Sequence, residues 1–400
     1  MNSFIRSHLH HWEAYVPGKQ PKDLKIAPHH RIIKLNTNES PFILSEVSDR
    51  LQTLARSRSF HLNRYPDPSA EHLRATAGNI LNIPQDHLVF ANGSDEIISA
   101  IFRAYLGAGD SITLPSPTYG AYAVYSRLYN IKIEELELAA DFLLSEENLT
   151  GTIGKVVFLP NPHAPSGNAL AAKTLLSIIK KFPQKLFVID EAYIDFNIKE
   201  TLITEIANHP NLIILRTLSK AAALAGLRVG YAISRPDHIQ ILRKVLDPYN
   251  LNMIAQDLAT LPFIHHKKIA LLVQKIIAIR DKVTAELTTL GFKTIPSKTN
   301  FILTSPQNFT LHPKWTKLRL EKTTPPKNTT DTTNSLPKSL PSSKAQAQLL
   351  YSLLTEHQIL VRYFPTPRLA PYLRITIGTE RDMKRVITVL RSLQKAPKHQ

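Results

Sequence analysis

Short apolar segments alternate with longer helical patterns between residues 36 and 280, and this alternation constrains the fold more than any other feature. The apolar segments are almost free of charge and rich in β-branched residues, as is typical of strands buried on both faces of a mostly parallel sheet. They lie at residues 88–90, 111–114, 155–159, 186–189 and 212–215, with helical patterns such as 95–105 and 171–182 between them. The sequence therefore predicts an α/β domain with its chemistry at the carboxyl ends of the strands.

The last third of the chain predicts a second, smaller domain. A long helix is expected over residues 269–290, because apolar residues recur there at helical spacing and Gly291 follows as a stop signal. Beyond it, the sequence predicts two strands, over residues 300–303 and 373–377, and a helix over residues 345–357. Helices and strands together indicate an α+β unit.

Residues 305–344 interrupt that pattern. They are rich in Thr, Pro, Lys, Ser and Asn, and such a composition cannot bury enough apolar surface to offset the entropy lost on ordering. We predict a mobile insertion in this segment. The predicted organisation is an N-terminal arm, a large domain and a small domain that carries the insertion, over residues 1–35, 36–285 and 286–400.

Simple features of the chain argue against several classes of protein. No stretch reaches the roughly 18 uncharged apolar residues that a membrane span needs. Residues 1–12 lack the apolar run of a secretory signal. Cysteine is absent, which excludes disulfides and thiolate metal sites. We therefore expect a cytoplasmic protein with no membrane partner.

The formal charge of +17 raises the question of nucleic-acid binding. The basic residues are spread along the chain, without zinc-finger spacing or a basic heptad region. A helix-turn-helix regulator with an enzyme-like domain is disfavoured, because the first 35 residues contain Pro17, Pro21 and Pro28 and no recognition-helix pattern. We expect no nucleic-acid partner, and the basic surface suits the attraction of phosphorylated substrates.

The catalytic motifs of several other enzyme classes are missing. The sequence has no Walker loop, no dinucleotide glycine fingerprint and no Gly-x-Ser-x-Gly elbow. Histidines cluster at His8, His10 and His11 and in two His-His pairs, but none has a carboxylate partner at ligand spacing. We therefore expect no metal ion.

Polar residues follow two of the predicted strands at points where they can carry chemistry. Ser94 and Asp95 open a helix after the strand at 88–90, and a helix N-terminus with a nearby hydroxyl binds anions. Taken alone, either residue equally suits a simple N-cap. Asp190 ends a very apolar strand, so its shielded carboxylate needs a cationic or hydrogen-bond-donating partner.

A lysine follows the strand at 212–215. Lys220 comes directly after Ser219, and Arg228 lies eight residues further on. A lone lysine is usually a solvated surface charge, but a partly desolvated lysine near other cations forms Schiff bases. The planar fork of an arginine fits a phosphate group.

These residues belong to an ordered series of motifs that resembles the fold type I aminotransferases. The series comprises NRYP at 63–66, PTY at 117–119, NPHAPSG at 161–167, DEAY at 190–193, and TLSK at 217–220 followed by LAGLRVG at 224–230. Within that family, the histidinol-phosphate aminotransferase branch is similar at LNTNESP 35–41, ANGSDE 91–96, VRYF 361–364 and LRITIGT 373–379. The sequence departs from the branch at Ala221–Ala223 and at His163-Ala164.

The resemblance implies a fold, a cofactor and a reaction. The fold is that of a fold type I transferase, with a large domain built on a mostly parallel seven-stranded sheet flanked by helices, plus a smaller α+β domain. The cofactor is pyridoxal 5′-phosphate (PLP). The reaction is transamination between histidinol phosphate and 2-oxoglutarate, which gives imidazole-acetol phosphate and glutamate in histidine biosynthesis.

The resemblance also implies the residues that hold the cofactor. Lys220 carries PLP as a Schiff base and then moves a proton, a double use that suits an amine. Asp190 keeps the pyridine nitrogen protonated, which makes the ring an electron sink. The other implied contacts are the ring stack of Tyr119, the phenolate donors Asn161 and Tyr193, and the phosphate ligands Ser94, Asp95, Ser219 and Arg228.

For the substrate, the resemblance implies a second set of contacts. Arg374 clamps the substrate carboxylate, and Arg362 and Tyr15 recognise its phosphate or other side-chain group. Asn161 is expected to contact the substrate as well. Tyr65 reaches the cofactor of a neighbouring subunit, so the expected assembly is a homodimer.

Two other activities are compatible with the same residues. An aminotransferase for aromatic or other amino acids is one, because Arg362 can equally pair with the distal carboxylate of glutamate. A PLP-dependent decarboxylase of a phosphorylated amino acid is the other. Decarboxylation depends on how the carboxylate is held relative to the ring plane, which sequence spacing does not show.

Overall fold

The computed structural model describes residues 4–10, 18–23, 31–58, 60–145, 154–315 and 343–394. Tyr15 and residues 316–342 of the predicted insertion lie outside these residues, so both stay predictions. The start of the insertion was predicted wrongly, because Phe309 and Leu311 are buried. The strands are β1 Ile33–Lys34, β2 Leu88–Ala91, β3 Ser111–Ser116, β4 Lys132–Glu137, β5 Val156–Pro160, β6 Leu186–Asp190, β7 Leu212–Thr217, β8 Gly230–Ile233, β9 Lys293–Thr294, β10 Phe301–Ser305, β11 Ile359–Leu360, β12 Arg362–Tyr363 and β13 Leu373–Thr376. The α-helices are α1 Ser45–Arg56, α2 Glu71–Leu81, α3 Ser94–Tyr105, α4 Gly120–Tyr129, α5 Ala172–Lys181, α6 Pro236–Val245, α7 Met253–Leu258, α8 Leu261–Ile264, α9 His266–Thr289, α10 Ser343–Glu356 and α11 Glu380–Gln394.

The chain divides into two compact units. The first comprises Met1–Pro17, Glu39–Ile277 and Pro296–Asn300, and the second comprises Gly18–Asn38, Ala278–Ile295 and Phe301–Gln400. The limits of the predicted arm, large domain and small domain stay a prediction, because the units follow packing and each collects several separate segments.

The first unit is built on a seven-stranded sheet in the order β2-β8-β7-β6-β5-β3-β4. β8 pairs antiparallel with both β2 and β7, whereas all other pairs are parallel. Six strands therefore run in one direction, and their carboxyl ends lie at one edge of the sheet. This confirms the predicted α/β fold with a mostly parallel seven-stranded sheet.

Apolar burial fixes the centre of this sheet. Every residue of β5 and β7 is buried, as are all but the first of β6. Helices α3 and α4 pack against one face through Ile98, Phe102 and Tyr122, which belong to the main core cluster. A buried central layer of this kind holds the strand ends rigidly, so side chains that follow the strands are positioned with little freedom.

The second unit contains two small sheets. One is antiparallel in the order β12-β13-β10-β9, and the other pairs β1 with β11 in parallel. Helix α11 buries an apolar stripe that includes Val386, Leu390 and Leu393. Strands β12 and β13 pair so that Arg362 lies directly opposite Arg374.

The described residues contain neither a helix that could span a membrane nor a cluster that could hold a metal ion. None of their helices is both long enough and apolar enough to cross a membrane. No group of three or more His, Cys, Asp or Glu side chains in the described part of the chain is arranged to hold a metal ion.

Candidate active site

A pocket lies in the first unit at the carboxyl ends of β5, β6 and β7. All of the predicted cofactor residues line it except Asn161 and Tyr65. Its lining comprises Ser94, Asp95, Tyr119, Pro160, Ala164, Asp190, Ala192, Tyr193, Thr217, Ser219, Lys220 and Arg228. Residues that are up to 134 positions apart in the chain thus meet at the one edge where parallel strands end.

The start of α3 forms one side of this pocket. Gly93 precedes the helix with a φ of +87°, a conformation that L side chains rarely adopt. A Cβ at Gly93 would lie 2.5 Å from Nη2 of Arg228, and Gly230 lies directly behind the backbone nitrogen of Ser94. The two glycines therefore allow the helix N-terminus, β8 and the guanidinium to approach closely, which forms an anion-binding cradle.

Side chains complete the cradle. The Nη1 atom of Arg228 lies 3.4 Å from Oγ of Ser219, and its Nη2 lies 3.2 Å from Oδ2 of Asp95. The hydroxyl of Tyr119 donates to Oδ1 of Asp95 at 3.1 Å. Asp95 thus fixes the directions of both Arg228 and Tyr119, while the cation offsets its negative charge.

Asp190, at the end of β6, lines the pocket with a buried carboxylate. It is 6% exposed, and burial raises the pKa of its carboxyl to about 6, against the opposing effects of two hydrogen bonds. The hydroxyl of Tyr122 donates to Oδ2 at 2.5 Å, and the backbone nitrogen of Ala192 donates to Oδ1 at 3.0 Å. A carboxylate held in this way presents its negative charge to a cation in the pocket.

Tyr122 was not predicted from the sequence. It lies in the first turn of α4, three residues after Tyr119, and its side chain is fully buried. That spacing places two aromatic residues on one helix face, a pattern that usually indicates core packing. The sequence indicates Tyr122 only indirectly: a buried Asp190 needs a hydrogen-bond donor, but the sequence does not show which residue supplies it.

Lys220 lies in the turn after β7 and is partly buried. Its Nζ atom lies 5.8 Å from the centre of the Tyr193 ring, and Tyr193 itself is buried. A lysine amine beside an aromatic face and a buried carboxylate is partly shielded from water. These are the surroundings in which lysines serve as Schiff-base formers and proton carriers.

A buried ion pair supports the two strands that carry Asp190 and Lys220. Arg216, at the end of β7, donates to Glu191 through Nε at 3.0 Å and through Nη2 at 2.8 Å. Glu191 also accepts from Thr201 and from the backbone nitrogen of Leu202. Because the charged groups of this pair have hydrogen-bond partners, the pair connects the end of β6 to β7 without leaving an uncompensated buried charge.

Asn161 and Tyr65 do not line the pocket, although the backbone nitrogen of Asn161 donates to the carbonyl of Asp190 at 2.9 Å. The amide oxygen of Asn161 accepts from the backbone nitrogen of Leu170 at 2.8 Å, and its amide nitrogen donates to the carbonyl of Leu170 at 3.1 Å. Tyr65 is 79% exposed and stacks on Tyr249, with ring centres 4.5 Å apart. The predicted contacts of both with the cofactor stay predictions.

The predicted substrate residues Arg362 and Arg374 belong to the second unit. The Nη2 atom of Arg374 donates to the carbonyl of Asn36 at 3.1 Å. Its guanidinium lies 5.2 Å from the ring centre of Phe301 and 5.4 Å from that of Phe364, and the guanidinium of Arg362 lies 5.3 Å from Phe364. Both cations thus pack on the same aromatic ring.

A larger cavity lies elsewhere in the first unit, with a volume of about 490 Å³ against about 110 Å³ for the lysine pocket. It is lined by residues of α2, α6 and the segment 246–251. None of the predicted site residues lines it. The chemistry of the lining, and not its size, therefore identifies the lysine pocket as the candidate active site.

The donor set of the lysine pocket fits PLP. The cradle of Ser94, Ser219 and Arg228 suits a phosphate, and the buried carboxylate of Asp190 suits a protonated ring nitrogen. Lys220 supplies the amine. A lysine, a buried carboxylate and an anion cradle at the carboxyl edge of such a sheet define a PLP-dependent enzyme of fold type I.

Comparison with known proteins gives the family. The family model for aminotransferase class I and II matches residues 30–390. The chain is 34% identical to the histidinol-phosphate aminotransferase of Gluconacetobacter diazotrophicus, over 97% of both chains. It is also 34% identical to histidinol-phosphate aminotransferase 2 of Dechloromonas aromatica, over 95% of this chain and 96% of the relative. The chain belongs to the class I and II aminotransferases, and its cofactor is PLP.

A solved structure shows the same fold. The histidinol-phosphate aminotransferase of Sinorhizobium meliloti, in complex with pyridoxal-5′-phosphate, superposes with a TM-score of 0.80 at 21% identity. The match covers 98% of each chain. The sequence prediction of a fold type I aminotransferase is confirmed.

Proposed function

We propose that this aminotransferase transfers the amino group between histidinol phosphate and 2-oxoglutarate, as a step of histidine biosynthesis. The names of the relatives at 34% identity support this substrate pair. So do the sequence motifs shared with that branch. The structural observation that carries the substrate assignment is the pair of cations formed by Arg362 and Arg374.

The two arginines are opposite each other on neighbouring antiparallel strands. Residues in such positions share a face of the sheet, with Cβ atoms about 5 Å apart, and like charges there repel each other. Both guanidiniums also lie within 5.4 Å of the Phe364 ring centre. An anion with two charges suits a pair of cations, and the planar forks match the oxygen geometry of a phosphate.

The chemistry of the proposed substrates fits this arrangement. Histidinol phosphate has a phosphate but no carboxylate, whereas glutamate has two carboxylates. One cationic pair can therefore bind the phosphate in one half-reaction and a carboxylate in the other. The carboxylate of a neutral aromatic amino acid carries only one negative charge, which satisfies the pair less well than a phosphate does.

Residues of the first unit carry the proton transfer. When bound, PLP supplies the carbonyl that takes up the amino group and a ring that accepts electrons. Lys220 takes the proton from the substrate's Cα onto its Nζ atom. The Nζ atom then gives up this proton to complete the transfer of the amino group. Asp190 holds a positive charge in the pocket, and Tyr119 limits movement across the ring face.

The remaining predicted contacts form part of the same proposal. Tyr193 is buried beside Lys220 and can donate to a phenolate oxygen. The amide nitrogen of Asn161 gives one of its two hydrogens to the carbonyl of Leu170, which leaves the second hydrogen for a phenolate oxygen. The exposed stack of Tyr65 on Tyr249 suits a subunit interface, where aromatic residues are enriched. We propose a cytoplasmic homodimer in which Tyr65 reaches the partner's cofactor.

The proposal is tested by the visible absorption spectrum of the PLP-loaded protein. We expect the yellow band of the lysine-bound cofactor to convert to the pyridoxamine form when histidinol phosphate is added without an acceptor. Phenylalanine at the same concentration is expected to convert it much more slowly, because it lacks the second negative charge. Addition of 2-oxoglutarate should restore the band.

Other outcomes would point to other activities. Equal or faster conversion by phenylalanine would indicate an aromatic aminotransferase. Release of carbon dioxide from a phosphorylated amino acid, without any need for an oxo acid, would indicate a decarboxylase. A yellow protein that does not respond to histidinol phosphate would retain its cofactor assignment and lose the proposed substrate.

The two arginines are expected to differ in their effects. Arg374→Ala should lower kcat/KM for every amino donor, on the order of 10²-fold, because Arg374 would bind the carboxylate of an amino acid and, together with Arg362, the phosphate of histidinol phosphate. Arg362→Ala should lower kcat/KM for histidinol phosphate more than for a neutral amino acid. Steady-state kinetics with both donors measure this split. Equal losses for the two donors in Arg362→Ala would refute its role toward the phosphate.

A further inference from the structure

Asp190 accepts a hydrogen bond on each of its two oxygens, from the backbone nitrogen of Ala192 and from the hydroxyl of Tyr122. Ala192 lines the pocket, whereas Tyr122 does not and has no assigned role. We propose that Tyr122 is a positioning residue that orients Asp190 and lowers its basicity, so that the proton shared between Asp190 and the cofactor's ring nitrogen stays on the nitrogen. This inference rests on the proposed placement of PLP with its ring nitrogen against Asp190.

The geometry makes Tyr122 a strong donor to Asp190. The distance from its Oη to Oδ2 is 2.5 Å, within the short range of O–H···O⁻ bonds. The phenol is fully buried, and burial together with the nearby Asp190 raises its pKa far above the usual value. The hydroxyl therefore keeps its proton and remains a donor throughout the working pH range.

Packing fixes the direction of this donor. The Tyr122 ring stacks on Phe158 of β5, with ring centres 5.1 Å apart, and meets the ring of Tyr119 edge-on at 5.6 Å. Tyr122 lies in the first turn of α4, and Tyr119 is the residue that directly precedes this helix. One short segment thus provides both the ring that faces the pocket and the hydroxyl that holds Asp190 from behind.

The direction of the effect follows from proton sharing. A carboxylate that accepts a strong hydrogen bond is a weaker base, because part of its negative charge is already stabilised. Without Tyr122, Asp190 becomes a stronger base inside a buried pocket, and the shared proton shifts from the ring nitrogen toward the carboxylate oxygen. A ring nitrogen with less positive charge accepts electrons less well, so turnover falls.

The test uses the ring nitrogen itself as the probe. The holoenzyme is prepared with PLP labelled with ¹⁵N in the ring, and its nitrogen resonance is recorded for the wild type and for Tyr122→Phe. Protonation moves a pyridine nitrogen resonance upfield. We therefore expect the variant's resonance to lie downfield of the wild type, with kcat reduced about tenfold and KM less affected.

Tyr129→Phe is a matched control. Tyr129 lies on the same helix, and its hydroxyl bonds to Ser99 at 2.8 Å, away from Asp190. It loses a phenol hydrogen bond without touching the carboxylate, so its nitrogen resonance should match the wild type. A resonance in Tyr122→Phe that equals those of the wild type and Tyr129→Phe would refute the role of Tyr122. If the ring nitrogen of the bound cofactor is not protonated in the wild type, the placement of Asp190 against the ring would be refuted instead.

A second substitution tests the proposal even if Tyr122→Phe folds poorly. Tyr122→3-fluorotyrosine retains the hydroxyl and nearly the same volume, and fluorine makes the phenol a stronger donor. We expect its ring nitrogen resonance to lie at the wild-type position or upfield of it, in contrast to the downfield shift of Tyr122→Phe. A downfield resonance would contradict the proposal.

Discussion

Lys220→Ala is expected to lose transamination, with turnover lower by on the order of 10⁴-fold. The variant lacks both the amine that binds the cofactor covalently and the base that moves the Cα proton. PLP should still bind without a covalent bond, because the cradle of Ser94, Ser219 and Arg228 and the carboxylate of Asp190 remain. Steady-state assays measure turnover, and dialysis followed by fluorescence measures retained cofactor.

Lys155→Ala is the control for Lys220→Ala. Lys155 is an exposed lysine paired with Asp110 at 3.0 Å, and it does not line the pocket. Its removal should leave turnover and the yellow band unchanged, since exposed ion pairs contribute little to stability. If Lys220→Ala retained wild-type turnover, the assignment of the lysine and the placement of the whole site would be wrong.

The central strands could be predicted because burial on both faces leaves a plain signal. Residues 155–159, 186–189 and 212–215 were predicted as strands, and the structure has β5 Val156–Pro160, β6 Leu186–Asp190 and β7 Leu212–Thr217. The long helix expected over residues 269–290 is α9 His266–Thr289. Where packing imposes a strong apolar period, the sequence reveals the element to within a few residues.

Edge and reversed strands gave weaker signals. β4 has the sequence KIEELE and buries only Leu136, because it lies at the edge of the sheet, where charged side chains can reach water. β8 is fully buried but only four residues long, and its antiparallel direction follows from pairing with β2 and β7. Neither pairing nor direction is encoded in a local pattern, so these strands needed the structure.

The site could be predicted in part for the same physical reason. Asp190 and Lys220 end or follow apolar strands, so topology alone brings them to one edge. Tyr122 could not be distinguished from a packing tyrosine, because its function depends on where one hydroxyl points. Nor could the sequence show that the amide of Asn161 bonds to the backbone of Leu170. Side-chain direction is decided by tertiary packing, which spacing in the chain does not contain.

Asp190→Asn is expected to lower turnover on the order of 10³-fold, the scale of losing a preorganised electrostatic contact. The amide has nearly the shape of the carboxylate but no charge, so it cannot hold a proton on the ring nitrogen. Cofactor binding through Lys220 and the phosphate cradle should persist. The ¹⁵N resonance of the ring should lie at the position of a neutral pyridine, and a variant with both normal turnover and a protonated ring would contradict this role.

The pH dependence of cofactor binding separates this charge from a simple packing role. Burial raises the pKa of Asp190 to about 6, so the carboxyl is protonated below that pH and charged above it. Affinity for PLP should therefore fall as the pH drops through about 6. Asp190→Asn should not show this fall. Any change in affinity that comes from protonation of the cofactor's own phosphate should appear in both proteins. Asp195→Asn is a suitable control, because burial also raises the pKa of Asp195 although it does not line the pocket. Identical pH profiles for wild type and Asp190→Asn would show that the charge of Asp190 does not act on the cofactor. The carboxyl of Asp190 would then have only a structural role.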